Sequence, residues 1–308
     1  EKETMTIQQH ASFDSSAAEL NATSKLVKAW ESKNAKNAAK AGGISMMALS
    51  LAACGGSDTA TTAATTTTTT DPELLTSGTD TISASGTISA GMVWSPGGNT
   101  RVESLQSSDS VTGTGSADVL NVVSDGGTIS PTLIGVETVN VDNSGSVAVI
   151  FNVSKATGID AVNVTSSQGD VDIRSIQSAD LALTVRDISD NATNVAFNYS
   201  TDAVTGSSTA VGLTIDGFDG AQVLLGSSAA SNGTVAGAGV ETLNLASSGS
   251  ASVIANLASS GITALNVDAD AQLTISALSA TGVKSVDLTG STATTSINVA
   301  ANVDANVF

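Results

Sequence analysis

Beyond residue 80 this chain contains no histidine and no cysteine, and only one tryptophan, Trp94, and one tyrosine, Tyr199. Each absence removes a class of function. Without histidine a Ser-His-Asp triad cannot be built, and Cys54 has no basic partner near it in sequence to activate a thiolate. His10 lies in an N-terminal tail, where a solvated ring is the ordinary state. A single cysteine excludes an internal disulfide. Aromatic residues make up 3% of the chain, too few for the stacked platforms of a sugar-processing groove, and no carboxylate pair stands out as an acid and base. These shortages point away from an enzyme. Cations are scarce too. Residues 1–54 hold six lysines and five acids, which leaves five basic against 24 acidic residues in 55–308. That surface repels phosphate backbones and anionic headgroups, so nucleic acid is not an expected partner. Calcium is the natural small partner of such an excess of carboxylate.

What fills the chain is Ser, Thr, Ala, Gly, Val and Asn/Asp, material for thin, repetitive β layers. Three segments differ in character. Within residues 1–54, the stretch 15–40 is rich in Ala, Leu, Lys and Glu with Leu20, Leu26, Val27 and Trp30 at helical spacing, which predicts a short helix. It runs into the uncharged "AGGISMMALSLAACGGS" of residues 41–57. A basic flank, an apolar run, small residues and then Cys54 resemble the signal-peptide ending of a bacterial lipoprotein, which implies a lipid anchor on Cys54 as the only link to a membrane. The alternative is an unprocessed Ala/Ser-rich helix with a buried cysteine. Residues 55–79 include six consecutive threonines and Asp71-Pro72, a low-complexity linker. From residue 80 to 308 strand follows strand.

"GVETVNV" at Gly135 returns as "GIDAVNV" at Gly158, "GVETLNL" at Gly239, "GITALNV" at Gly261 and "GVKSVDL" at Gly282. Successive starts lie 23, 22 and 21 residues apart within the two groups, and the 81 residues from Gly158 to Gly239 are close to four periods. Degenerate copies occur there, "ADLALTV" from Ala179 and "AVGLTI" from Ala210. In the first copy Val139 and Val141 share one face while Thr138 and Asn140 take the other. A second alternation follows each motif: Val147, Val149, Phe151, Val153; Val253, Ala255, Leu257; Leu273, Ile275, Ala277; Ile297, Val299. Strand, turn, strand, turn at this period, with no room for a crossover helix, predicts an all-β fold. It is a parallel β-solenoid (β-helix) of about 22 residues per turn, preceded by the short helical segment. A leucine-rich repeat is the rival, since "ITALNV" fits its scheme. In the solenoid, Asn140, Asn163, Asn244, Asn266 and Asp287 would align as one ladder.

Residues 105–141 carry a Gly-rich, Asp-bearing turn, Gly113-Thr114-Gly115-Ser116-Ala117-Asp118, ahead of a strand and the element Val136-Glu137-Thr138-Val139-Asn140. With the later repeats this resembles the β-strand-repeat regions of bacterial surface-layer proteins and related RTX-like, type I secreted surface proteins. The tandem calcium nonapeptide of RTX proteins occurs here once, with Thr112 in place of its first glycine. The resemblance implies bound calcium, with Asp118 and Asp109 as candidates. Asp216 with Asp219 in "DGFDG", and Asp268 with Asp270, are further candidates, each against the alternative of a solvated turn or strand-edge acid. The expectation is therefore a structural protein of the bacterial cell surface, secreted or anchored at the outer membrane, that self-assembles or packs with other surface proteins through acidic, calcium-bridged contacts. The alternative is a monomeric adhesin or ligand-binding solenoid on a lipid anchor. An ice-binding face would need Thr-x-Thr at the same place in successive turns, which the repeats do not supply.

Overall fold

A computed structural model describes residues 75–299, apart from 96, 98, 228–238, 260 and 281, together with the backbone of 306 and 307. The helix expected over 15–40, Cys54 and most of the Thr-rich linker lie outside the described residues.

The small, β-branched sequence folds as strands throughout; the only helical element among the described residues is a 3-10 turn, Thr201–Val204. The chain enters through β1 (Thr81–Ala84) and β2 (Thr87–Ala90), then projects a hairpin of β3 (Met92–Trp94) and β4 (Arg101–Glu103). Three circuits of three short strands follow. They are β5 (Ser110–Gly113), β6 (Val119–Ser124) and β7 (Gly127–Ile129); β8 (Thr132–Ile134), β9 (Thr138–Asn143) and β10 (Val149–Asn152); β11 (Ala156–Thr157), β12 (Ala161–Thr165) and β13 (Val171–Ile176). Later circuits have two strands: β14 (Ala182–Ile188) and β15 (Asn194–Tyr199), then one long strand β16 (Ala210–Ser227) that serves both positions. After it come β17 (Thr242–Ser247) and β18 (Ser252–Ala258), β19 (Ala264–Ala269) and β20 (Leu273–Ser279), β21 (Ser285–Asp287) and β22 (Thr295–Val299), and β23 (Asn306–Val307).

The first strand of each motif pairs with its counterpart one circuit away, always parallel. The result is a curled sheet of ten strands, β2-β6-β9-β12-β14-β16-β17-β19-β21-β23. A second parallel sheet runs β7-β10-β13-β15-β16-β18-β20-β22, and a third, β1-β5-β8-β11, serves the early circuits alone. The second leg of a circuit is thus a strand, not a helix, which removes the leucine-rich alternative. One face of each sheet is dry: Val139, Val141, Val162, Val164, Leu243, Leu245, Leu265 and Val267 are buried. They belong to one core that also takes in Phe151, Phe197, Tyr199 and Phe218.

The repeat's glycine has a steric cause. A Cβ on Gly261 would stand 2.9 Å from the Val240 carbonyl oxygen and 3.0 Å from the Gly239 nitrogen, and one on Gly282 would stand 3.0 Å from the Ile262 oxygen. These two motif turns lie directly on the backbone of the turn before them. A second backbone requirement sits on β14 and β16 of the ten-stranded sheet, where Asp187 and Gly217, each between the paired positions Arg186–Asp216 and Ile188–Phe218, hold φ of 56° and 63°. Ser166 and Gly249 beside them hold 54° and 65°, so the left-handed bend recurs as a column.

Two expectations from the sequence are corrected. The interval from Gly158 to Gly239 holds three register steps rather than nearly four. The pairings Ala161–Ala182, Leu183–Leu213 and Ala210–Thr242 separate partners by 21, 30 and 32 residues. "ADLALTV" and "AVGLTI" are the two intervening strands, β14 and the start of β16. The second-leg faces also differ. Val147 precedes its strand and is 62% exposed, and Val253 is 38% exposed while its neighbour Ile254 is buried. In β18 and β20 the buried face changes parity along the strand, from Ile254 to Leu257 and from Ile275 to Leu278.

Candidate functional site

The acids singled out by sequence fall into two groups, the buried Asp109 and Asp118 and the partly or fully exposed Asp216, Asp219, Asp268 and Asp270. Asp118 is buried, and its carboxylate accepts from the Gly86 amide at 2.5 Å through Oδ1 and from the Gly115 amide at 2.7 Å through Oδ2. It ties its own Gly-rich turn to the circuit before. Asp109, also buried, accepts from the Asp80 amide at 2.8 Å and the Gln106 amide at 2.6 Å. Burial pushes its carboxyl above the usual range, against the pull of those two amides. Each carboxylate oxygen of the two residues thus accepts one backbone N–H, and the bonds hold the turns together.

The glutamate of "GVET" belongs with them, and sequence reasoning passed over it. Glu137 Oε2 accepts from the Asp118 amide at 2.6 Å, and Glu241 Oε2 accepts from the Thr209 amide at 2.7 Å. In both cases a side chain reaches back one circuit. The backbone alongside repeats the link: the Asp118 carbonyl accepts from the amides of Glu137 and Thr138, and the Glu241 carbonyl from those of Thr263 and Ala264. The signal was present in the sequence, because the two full copies of the motif alone retain Glu at that place.

The other acids are accessible. Asp216 Oδ1 accepts from the Ser250 amide at 2.8 Å, and Asp219 is exposed three residues on, beyond the buried Phe218. Asp268 and Asp270 are exposed on either side of the buried Ala269, and Asp270 accepts from the Thr292 hydroxyl at 2.8 Å. Among the described residues no three His, Cys, Asp or Glu side chains gather as a metal site. Cys54 lies outside the described residues, and no described helix is long and apolar enough to cross a membrane.

The Asn series forms two ladders, not one. Asn140 donates to Asn121 Oδ1 at 2.6 Å and Asn163 to Asn140 Oδ1 at 2.7 Å, on the outer face of the ten-stranded sheet. The column then continues through Thr184, Thr214, Ala246 and Asp268. Asn266 donates to Asn244 Oδ1 at 2.8 Å in a neighbouring column, headed on one side by Gly212 and on the other by Asp287. The three register steps exceed the motif spacing by two residues. A shift of two keeps every Asn facing outward while breaking the column. Asn121, which the sequence reading left out, supplies the first rung.

Where the second ladder ends, Asn244, Asn266, Asp268 and Asp287 border a shallow open groove of about 400 Å³ over Ala246 and Gly290. Hydrogen bonds from Thr289 hold the Asp287 carboxyl below the usual carboxylate range. One ion pair is present among the described residues, between the half-buried Arg174 and the buried Asp172: Arg174 binds Asp172 Oδ2 through Nη2 and Nε, both at 2.7 Å, and Asn198 donates to Asp172 Oδ1 at 2.7 Å. The hydrogen bonds of the described acids and amides thus run mainly between circuits. No family model, curated protein or solved structure matches the chain.

Proposed function

We propose that this protein is structural: a parallel β-solenoid of the bacterial cell surface, secreted, without enzymatic activity, that assembles with copies of itself or with other surface proteins. The observation that carries this reading is the use made of its polar residues. Asp109, Asp118, Glu137 and Glu241 staple one circuit to the next, and the Asn ladders do the same on the outer face. Side chains that in an enzyme would converge on a substrate are distributed along a stack. The likeness of residues 105–141 to surface-layer repeats supports the same reading. A membrane enters only through a lipid on Cys54, with the Thr-rich segment as spacer.

The acidic surface sets a condition on assembly. Copies with 24 acidic and five basic residues in 55–308 repel at close range, and a divalent cation between carboxylates of neighbouring molecules relieves that repulsion. In this reading calcium bridges carboxylates at the contacts between chains. Electron microscopy of the full chain, with millimolar calcium and then with excess chelator, tests both parts. Ordered sheets or filaments that disperse on chelation are the expected result. Sheets unaffected by chelator would remove calcium and keep the structural role. Isolated particles in both conditions would overturn assembly and favour the monomeric adhesin on its spacer.

A further inference from the structure

Five aromatic residues are described, and four of them, Phe151, Phe197, Tyr199 and Phe218, are completely buried. The fifth, Trp94, is 67% exposed. It sits on β3 of a hairpin whose strands pair with each other and with no other strand. Directly across from it is Arg101, which places indole and guanidinium on one face of the hairpin. Arg101 donates to the Met92 carbonyl at 3.2 Å and is exposed. The next basic residue along the chain is Lys155. The hairpin base is fixed: Ser104 donates to the Gly91 carbonyl at 3.0 Å, and Glu103 accepts from the Ser124 hydroxyl. A chain nearly without aromatics and cations thus presents one of each, side by side, on a projecting anchored ribbon. Trp and Arg are the residues that dominate protein interfaces.

We propose that this hairpin docks on a second copy of the same chain, seating Trp94 and Arg101 in the groove between Asp268 and Asp287. The proposal rests on the self-assembly reading above. Charge complementarity selects the occupant. The groove carries two exposed-side carboxylates and two amides over the small residues Ala246 and Gly290, which leave room for a flat ring. The carboxylates meet a guanidinium, and the amides Asn244 and Asn266 meet the indole N–H. Position in the fold agrees with this. The hairpin leaves the stack beside β2, at one end of the ten-stranded sheet, while the groove lies over β17, β19 and β21 toward the other end. The two surfaces differ, so the contact is heterologous and propagates into a filament or closes a ring.

The test uses the full chain in a Trp30→Phe background, so that fluorescence reports Trp94 alone, with assembly followed by sedimentation and electron microscopy. Trp94 emission is expected to shift to shorter wavelength as the protein assembles. Trp94→Ala and Arg101→Glu are each expected to raise the concentration needed for assembly by about thirtyfold. Asp268→Arg should do the same, and combining it with Arg101→Glu should restore assembly. Urea midpoints equal to the parent's confirm that these exposed substitutions leave the fold intact. Assembly that persists unchanged in Trp94→Ala and Arg101→Glu overturns the hairpin contact while the self-assembly reading stands. A parent that never assembles overturns both. An emission shift on adding polysaccharide but not on raising chain concentration makes the hairpin a sugar-binding knob and overturns the proposal.

Discussion

A carboxylate in this protein does one of two jobs, and the difference is set by what its oxygens meet. Glu241 meets the Thr209 amide of the preceding circuit. Replacing it with Ala removes an ionised acceptor from a half-buried donor, so Glu241→Ala should lower unfolding free energy by about 1–2 kcal/mol in urea titration. Glu241→Gln, which keeps an oxygen there, should recover most of the loss. An equal loss in both would assign the effect to charge rather than to the bond. Asp142 is the opposite case. Its Oδ1 is buried with no hydrogen-bond partner, and burial raises its carboxyl above the usual value near 3.8. The folded state therefore holds that proton more tightly than the unfolded state, so stability falls as pH rises through the window above 3.8 and the cost is complete by neutrality. Asp142→Asn should raise the urea midpoint at pH 7, and the difference between variant and parent should close below pH 3.8. A gap that stays constant with pH would place the cause in packing.

At the scale of one strand, the ladders and the glycine turns hold the register. Asn140 bonds to Asn121 on one side and Asn163 on the other, and Asn163 bonds to Asn140. Asn140→Ala should cost about 1–2 kcal/mol and Asn163→Ala about half of that, read from urea midpoints. Gly261→Ala forces a methyl against the Val240 carbonyl and should cost about 1–3 kcal/mol. The first strand of each motif was legible in sequence because three signals agree there: an alternation of period two, an outward Asn and a glycine that admits the neighbouring turn. The second strands were legible as strands but not in their faces. Alternation presumes an unbroken pleat, and Ser175, at φ 61°, interrupts β13 where its register slips between Arg174 and Ile176. The count of circuits misled for a related reason, since the long connections around β16 add residues that carry no strand signal. The candidate site was legible only as a set of acids. That Asp118 accepts the amides of Gly86 and Gly115 could not be read from its Gly-rich turn, because Gly86 comes from the circuit before and only the fold brings it there.

Across the three parallel sheets, a strand pairs only with its counterparts one circuit before and after, so stability is close to a sum of neighbour terms and need not be uniform. The large side chains are concentrated in the middle. In the second sheet Phe151, Ile173, Phe197 and Leu225 follow one another in register, while Tyr199 pairs with Ile176. Toward β21 and β22 the inward residues shrink to Val286, buried, and to Ile297 and Val299, which are half-buried. Deleting the Phe197 ring opens a cavity where neighbours on both sides are large and fixed, so Phe197→Ala should cost about 3–5 kcal/mol. Val286→Ala removes less and stands where fewer circuits depend on it. Hydrogen exchange separates these two regimes. Amides of β9 through β18 should be the slowest in the parent and those of β21 and β22 the fastest. Val286→Ala should accelerate β19 to β22 alone, whereas Phe197→Ala should accelerate strands on both sides of β15. Faster exchange along the whole ten-stranded sheet in Val286→Ala would mean that the sheet opens as one cooperative unit, and the neighbour-sum description would then fail.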